Sequence, residues 1–128
     1  MNYSSNPKIN KVCILIDKAL VELHSRKPKY ANPYENQCYI ASAVLKKTFM
    51  KLLVLYRTKD NRDNYHYWCE TKEGEVIDIT GQQYVLMNVP IPSIGEAARN
   101  KQKARIMTYT SYKKRIDNLM EIMDEIKD

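Results

Sequence analysis

The N-terminal part of the chain carries apolar side chains at intervals of three and four residues, the spacing of one face of an α-helix. This stripe is formed by Ile9, Val12, Cys13, Ile16, Ala19, Leu20 and Leu23. Asn6 and Pro7 precede the stripe as an N-cap and a first helical residue, and Pro28 follows it. The pattern predicts an amphipathic helix that ends before Pro28, with Cys13 as a buried core thiol.

A second helix and three strands are predicted in the middle of the chain. Residues 28–36 contain two prolines and two asparagines and form a loop. We expect Asn36 to cap the helix that follows, which carries apolar residues at 40, 41, 44 and 45 and finishes near Lys47. Apolar and aromatic runs then predict strands at 52–56, 65–71 and 75–80, joined by a polar segment and by Glu73-Gly74.

The spacing of apolar residues predicts that the C-terminal third is mostly helical. Residues 82–84 fit a single helical turn, and a further helix is expected from about Ser93 through the basic residues that follow. A last amphipathic helix has one apolar face, formed by Tyr112, Ile116, Leu119, Met120, Met123 and Ile126. The order of elements predicts an α+β fold in one domain, residues 1–128, with helices packed on a small antiparallel sheet.

The composition indicates which classes of protein this chain can belong to. Hydrophobic residues make up 44% of the chain and charged residues 28%, as in an ordinary globular protein. No apolar run approaches the ~20 residues needed to span a bilayer, and no secretory signal is visible, so we expect a cytoplasmic protein that does not enter a membrane. The three cysteines form no CxxC pair, and their spacing with the two histidines fits no metal site, so neither a disulfide framework nor a metal or other cofactor is predicted.

The net charge of +6 is concentrated in one region. Its basic residues are Arg99, Lys101, Lys103, Arg105, Lys113, Lys114 and Arg115, with no acidic residue between Glu96 and Asp117. Such a cluster fits either an acidic partner or a solvated surface. Nucleic acid is a weaker alternative, because only Tyr109 and Tyr112 are interleaved with the basic residues as a stacking surface requires.

Three residues form a candidate catalytic site. Cys38 falls in the first turn of its helix, where free amides and the helix dipole favour a thiolate. His66 and Asp78 lie on adjacent predicted strands. If the loop between those strands is residues 72–74, Trp68 opposes Asp78 and His66 is its diagonal neighbour, within reach of the carboxylate. A two-residue loop would instead put His66 and Asp78 on opposite faces of the sheet.

These residue types suit nucleophilic catalysis. Cys38 would attack as a thiolate, His66 would carry the proton, and Asp78 would orient the imidazole and stabilise its charged form. The Cys38 amide, with a side-chain amide from Asn32, Asn36 or Gln37, would form an oxyanion hole. Trp68 would shield the His–Asp contact from water. Each residue taken alone also has an ordinary structural interpretation in a core or a strand.

At these residues the chain resembles a family of bacterial and phage proteins, the YunG-like proteins. Their pattern has N-P-x-x-G-Q-C at a loop-to-helix junction, an aromatic strand that begins with His, and D-[FL]-T-x-x-Q-[FY]. The corresponding segments here are residues 32–38, 66–68 and 78–84, with Asn36 in place of the glycine. The third segment adds Gln83 to the candidate substrate-binding residues. The order Cys, His, Asp is also similar to that of papain-like and transglutaminase-like proteins.

The resemblance implies a papain-like or transglutaminase-like fold with a Cys–His–Asp site. We therefore expect a cysteine hydrolase or acyltransferase that acts on a peptide, isopeptide or other amide bond of a protein or peptide substrate. The alternative is a catalytically silent binding module, such as a phage or bacterial inhibitor that binds a host protein through its basic face. Substrate, reaction outcome and oligomeric state are left open.

Overall fold

The computed structural model describes residues 2–127, which contain four α-helices and four short β-strands. The helices are α1 (Pro7–Arg26), α2 (Cys38–Thr48), α3 (Gln82–Leu86) and α4 (Thr110–Ile126). The strands are β1 (Leu53–Lys59), β2 (Tyr65–Thr71), β3 (Val76–Ile77) and β4 (Gln102–Lys103). None of these helices is long and apolar enough to cross a membrane.

The four strands form one sheet in the order β3-β2-β1-β4, with every neighbouring pair antiparallel. β1 and β2 pair along their whole length, with Thr58 opposite His66. β2 and β3 pair Cys69 with Ile77, and Thr71 donates a main-chain hydrogen bond to the Glu75 carbonyl. This is the register predicted for a three-residue loop at 72–74.

Helices α1, α2 and α4 share a core with one face of the sheet. Its strand residues include Leu55, Cys69 and Ile77, all at most 1% exposed. Ser42 docks α2 on β2, since its Oγ donates to the Tyr67 carbonyl (3.1 Å) and its own carbonyl accepts from the Cys69 thiol (3.4 Å). The predicted α+β class, helices on a small antiparallel sheet, is confirmed.

The two long amphipathic helices are confirmed. Asn6 caps α1, because its Oδ1 accepts from the amides of Lys8 and Ile9. Cys13 is fully buried on the apolar stripe. On α4 the buried face contains Ile116, Leu119, Ile122 and Met123, while Met120 is 39% exposed and lies at its border. Residues 82–84 are helical as predicted, within α3.

Asn36 is not the N-cap of α2, contrary to the prediction. Gln37 occupies the cap position without a side-chain capping bond, and the helix begins at Cys38 and ends at Thr48. Asn36 instead has a φ of 60°, in the left-handed region that glycine and asparagine tolerate best. Its presence at the glycine position of the motif therefore has a backbone reason.

Three elements also differ from the predicted pattern. The first strand runs on to Lys59 instead of Tyr56. The third ends at Ile77, because the chain turns into a 3₁₀ segment at Ile79–Gly81 that leaves Asp78 just beyond the sheet. The helix expected from Ser93 through the basic cluster is absent from the described residues. A 3₁₀ segment at Glu96–Asn100 and then β4 occupy this region.

Contacts with the sheet explain the missing helix. The Ala97 carbonyl accepts from Thr58 Oγ1 (2.8 Å), and the Ala104 amide donates to the Leu55 carbonyl (2.9 Å). An α-helix would need these backbone groups for its own hydrogen bonds. The segment before β4 is therefore held along the sheet, over the face that carries His66.

Candidate active site

The loop before α2 is fixed by its own side chains. Asn32 Oδ1 accepts from the amides of Tyr34 (2.9 Å) and Glu35 (3.0 Å), which closes a tight Asx-type turn. Tyr34 is buried, and its hydroxyl donates to Asp17 on α1 (2.8 Å). The left-handed Asn36 then reverses the chain into the helix. These contacts set the position from which Cys38 leaves the loop.

Cys38 is the first residue of α2 and is only partly buried. Its amide lies in the first turn, where a helix supplies no carbonyl acceptor of its own. Its thiol donates to the main-chain oxygen of Tyr65 at 3.7 Å. The sulfur therefore lies at the start of β2, next to the residue that precedes His66.

His66 and Asp78 are in direct contact. Nε2 of His66 lies 2.7 Å from Oδ2 of Asp78, and the side chains are 0% and 8% exposed. A carboxylate only accepts, so Nε2 carries the hydrogen. Nδ1 is buried and has no hydrogen-bond partner within residues 2–127. It is the ring nitrogen left available for Cys38.

The surroundings of His66 favour its charged form. Burial lowers the pKa of the imidazole, but the charge of Asp78 and the hydrogen bond with it raise the pKa more. Cys38 is close enough to the ring to add a further increase, and the net effect raises the pKa of His66 to about 10. These surroundings thus stabilise an imidazolium beside the Cys38 sulfur, which is the state that follows transfer of the thiol proton to the ring.

Two further residues determine how Asp78 is held. Ser93 Oγ donates to the same carboxylate oxygen as His66, at 2.6 Å, from the irregular segment after α3. A β-carbon at Gly81 would lie 2.9 Å from Asp78 Oδ2 and 3.1 Å from its Cγ. Only glycine leaves room for this carboxylate, which explains Gly81 without any unusual backbone angle.

Aromatic rings enclose His66 on two sides. Trp68 is fully buried and stacks on the imidazole at 6.0 Å between centroids, and Tyr84 meets it edge-on at 4.9 Å. The Tyr84 hydroxyl donates to Asp60 (2.9 Å) in the turn between β1 and β2. Trp68 therefore lies in the interior behind the histidine, and does not line the cleft next to Cys38.

A small polar cleft of about 170 Å³ opens beside the thiol. Besides Cys38 it is lined by Glu35, Asn36, Asp60, Arg62, Asn64, Tyr65, Gln83 and Tyr84. Of the five predicted oxyanion or substrate-binding residues, Asn36 and Gln83 line this cleft. No group of three or more His, Cys, Asp or Glu side chains in residues 2–127 is arranged to hold a metal ion.

Asn32 and Gln37 face a different pocket, on the other side of the loop. The Gln37 side-chain oxygen accepts from Arg115 Nη2 (3.1 Å), which also donates to the Asn36 carbonyl (2.7 Å). Within the basic cluster, Lys101 pairs with the buried Glu70 at 2.9 Å. Two of the seven predicted partner-binding cations, Lys101 and Arg115, thus have intramolecular roles.

The sequence pattern does not point to Ser93, Gly81 or Tyr84 as parts of the site. Gly81 and Tyr84 fall inside the third motif, but the motif does not show what either residue does in the site. Ser93 lies among prolines in an irregular segment, and its contact with Asp78 depends on the path of that segment. No local pattern could have found it.

Comparison with known proteins gives one result. No curated protein and no solved structure matches this chain. A family model described as YunG protein matches residues 18–121, which include the Cys38 loop, strand β2 with His66, Asp78 just after β3, and most of α4. The chain therefore belongs to the YunG family.

Proposed function

We propose that this protein is a cysteine hydrolase or acyltransferase with Cys38, His66 and Asp78 as its catalytic triad. The observation that carries the proposal is the buried 2.7 Å His66–Asp78 pair, whose second ring nitrogen is unpartnered and faces the region of Cys38. This is the arrangement that a thiol nucleophile, its base and an orienting carboxylate require. A papain-like or transglutaminase-like ancestry is part of the same proposal.

The chemistry follows from this geometry. His66 Nδ1 takes the thiol proton, and Cys38 sulfur attacks the carbonyl carbon of an amide, isopeptide or thioester. The tetrahedral oxyanion is bound by the Cys38 amide and a side-chain amide, for which Asn36 and Gln83, which both line the cleft, are the candidates. The bond to the leaving amine or thiol breaks as Nδ1 returns the proton, which leaves a thioester on Cys38.

The second half of the reaction restores the enzyme. Water or an amine attacks the thioester while His66 takes its proton, and the carbon–sulfur bond breaks to give an acid or a new amide. Cys38 then recovers its proton. Asp78 accepts the hydrogen of Nε2 throughout, and so holds the imidazole in the orientation that presents Nδ1 to the sulfur.

The test is acylation by 4-nitrophenyl acetate, followed by release of 4-nitrophenolate and by peptide mass spectrometry. We expect one acetyl group per chain, on Cys38, and a loss of at least about 100-fold in rate for Asp78→Asn. Asp63→Asn is the matched control, because Asp63 is exposed and lies in the left-handed region that asparagine tolerates. Acetylation spread over lysines, or equal rates in both variants, would refute the proposal.

A binding module remains the second candidate. Arg99, Lys103, Arg105, Lys113 and Lys114 are exposed, as a basic docking face requires. Lys101 and Arg115 are bonded within the chain, which reduces this surface. If the acylation experiment fails, these five side chains are the ones to replace in a search for an acidic partner.

A further inference from the structure

A second pocket lies behind the Cys38 loop, between α1 and α4. Its volume is about 290 Å³. Its apolar lining includes Leu20, Leu23 and Pro33, and its cations are Lys27, Lys29 and Arg115. No carboxylate from the described part of the chain lines it. The pocket thus combines an apolar floor with three cations, although Asp117 and Glu121 line an adjoining pocket with Lys27 and Arg115.

Consecutive residues of one loop line this cationic pocket and the cleft with the thiol. Gln37 lines the pocket, whereas Asn36 and Cys38 line the cleft. Neighbouring Cα atoms are only about 3.8 Å apart. The pocket and the cleft therefore lie on the two sides of the loop that carries the nucleophile, and an extended substrate that crosses this loop contacts both.

Arg115 joins the two sites. One of its terminal nitrogens holds the Asn36 carbonyl and the Gln37 side chain. A guanidinium has five N–H donors, so others are left for a ligand in the pocket that it lines. A carboxylate is the natural acceptor, since it matches the planar geometry of the guanidinium.

We propose that this pocket is an exosite for an acidic, apolar-flanked peptide segment of the substrate. The proposal rests on the proposed function and names its substrate class. The three cations select carboxylates, and the apolar floor selects the aliphatic or aromatic side chain next to them. The volume is at the small end for a ligand site, so it takes one or two side chains while the rest of the chain extends towards the cleft.

The test measures binding without catalysis. Fluorescence anisotropy is recorded with a fluorescein-labelled peptide of alternating Glu and Leu, on protein that carries Cys38→Ser. We expect saturable binding that weakens with salt, and at least about a tenfold loss in Lys27→Glu/Lys29→Glu, because two attracting charges become repelling ones. The same peptide with Gln in place of Glu should bind at least about tenfold more weakly than the Glu peptide.

The matched control is Lys11→Glu/Lys18→Glu. Both lysines are exposed on α1 and neither lines the pocket. Each double variant replaces two lysines with glutamates, so the net charge falls by the same amount in both. Equal losses in the two double variants, equal binding of the Glu and Gln peptides, or no binding at all would overturn the exosite. Failure of Cys38 acetylation would remove the catalytic proposal but leave this binding result unchanged, so the two failures are distinguishable.

Discussion

At the scale of single residues, the three cysteines differ in their surroundings and should differ in reactivity. Cys13 and Cys69 are fully buried. Burial, with a contribution from Glu75, raises the pKa of Cys13 to about 12, and burial also raises the pKa of Cys69. Cys38 is partly exposed and lines the polar cleft. Only one of the three thiols is therefore placed to act as a nucleophile.

We predict that iodoacetamide alkylates Cys38 in the folded protein and leaves Cys13 and Cys69 unmodified. Peptide mass spectrometry over a range of pH gives the rate for each thiol. His66→Gln should slow Cys38 by at least about tenfold near pH 6, because the imidazolium that stabilises the thiolate is lost. Equal rates for the three thiols, or a Cys38 rate that His66→Gln leaves unchanged, would contradict the catalytic assignment.

Gly81 gives a second prediction at this scale. In Gly81→Ala the new methyl group displaces the Asp78 carboxylate, which weakens its bond to Nε2 and lowers the pKa of His66. The titration of the imidazole protons by NMR measures this shift. Acylation of Cys38 should slow in the same variant.

Gly74→Ala is the control for Gly81→Ala. Gly74 has a φ of 91° and no neighbour near its missing β-carbon, so alanine there costs about 1 kcal/mol of backbone strain without touching the site. It should lower stability and leave the His66 titration unchanged. If both variants titrate alike, the close approach of Gly81 to Asp78 has no role in the histidine's pKa.

At the scale of elements, hydrophobic periodicity predicted the helices and strands whose formation depends on their own local sequence. The stripes of α1 and α4 and the aromatic strand β2 follow from three- to four-residue and two-residue spacing. The β2–β3 register depends on the loop length, which the sequence leaves open between two and three residues, and the three-residue loop found in the structure is the one that places His66 beside Asp78. Segments whose backbone bonds go to distant partners were mispredicted, as at Ala97, where Thr58 takes the carbonyl.

The candidate site could be predicted from the sequence in part. Cys38, His66 and Asp78 were identified together, because each alone has an ordinary structural interpretation and only their combination and the matching motifs indicate a site. Ser93 was not, because its bond to Asp78 depends on a segment that the sheet holds in place. Trp68 stacks on His66, but it lies in the interior and not in the cleft. The pattern of a strand alone does not distinguish these two positions.

The segment over the sheet is tied down by Lys101. Its ammonium bonds both carboxylate oxygens of the buried Glu70 and lies over the Tyr56 ring at 4.6 Å. We predict that Lys101→Met lowers the free energy of unfolding by about 1–2 kcal/mol, because Glu70 keeps a buried charge without its cation. The value is below that of a fully buried pair since over a third of the Lys101 side chain is exposed.

A double-mutant cycle in urea separates this pairing from a general loss of contacts. Glu70→Gln removes the buried charge but still accepts from Trp68 Nε1, which bonds Glu70 at 2.9 Å. Lys101→Met should therefore cost much less in the Glu70→Gln background than in the natural chain. If the two effects simply add, the Lys101–Glu70 contact does not hold the segment.

At the scale of the whole molecule, the buried His–Asp pair couples folding to pH. The pKa of His66 is raised in the fold above its unfolded value of about 6.5, so its contribution to stability is complete below pH ~6.5 and is lost as pH rises through about 10. The pKa values of Cys13 and Cys69 are raised as well, and their unfolded thiols ionise with a pKa of about 8.5, so they add a slope of the same sign above pH ~7.5. Tyr3 and Tyr84 also have raised pKa values, but unfolded tyrosines ionise near pH ~10 and do not contribute below pH ~8.5. The contribution of Cys13 and Cys69 is the same whatever occupies position 38, so a reference variant that lacks the His66–Cys38 pair removes it.

Between pH 7 and 8 the slope of stability against pH counts the protons on the catalytic pair. With Cys38→Ser, the folded protein holds one proton on His66 and the unfolded chain holds almost none above pH ~7, so the free energy of unfolding should fall by about 1.2 kcal/mol per pH unit relative to the reference. With Cys38 present as a thiolate beside the imidazolium, the folded pair holds one proton. The unfolded chain also holds one, on the free thiol, so the stability should be nearly independent of pH.

The measurement is urea unfolding of both proteins at several values between pH 7 and 8, with His66→Gln/Cys38→Ser as the reference whose small slope, from Cys13 and Cys69, is subtracted. A flat profile for the Cys38 protein beside a steep one for Cys38→Ser is what the proposed thiolate–imidazolium pair requires. Two steep profiles would mean that the folded protein keeps Cys38 as a neutral thiol, and two flat ones that His66 is uncharged. Because the readout is proton uptake on unfolding, it tests the ion pair before any substrate has been found.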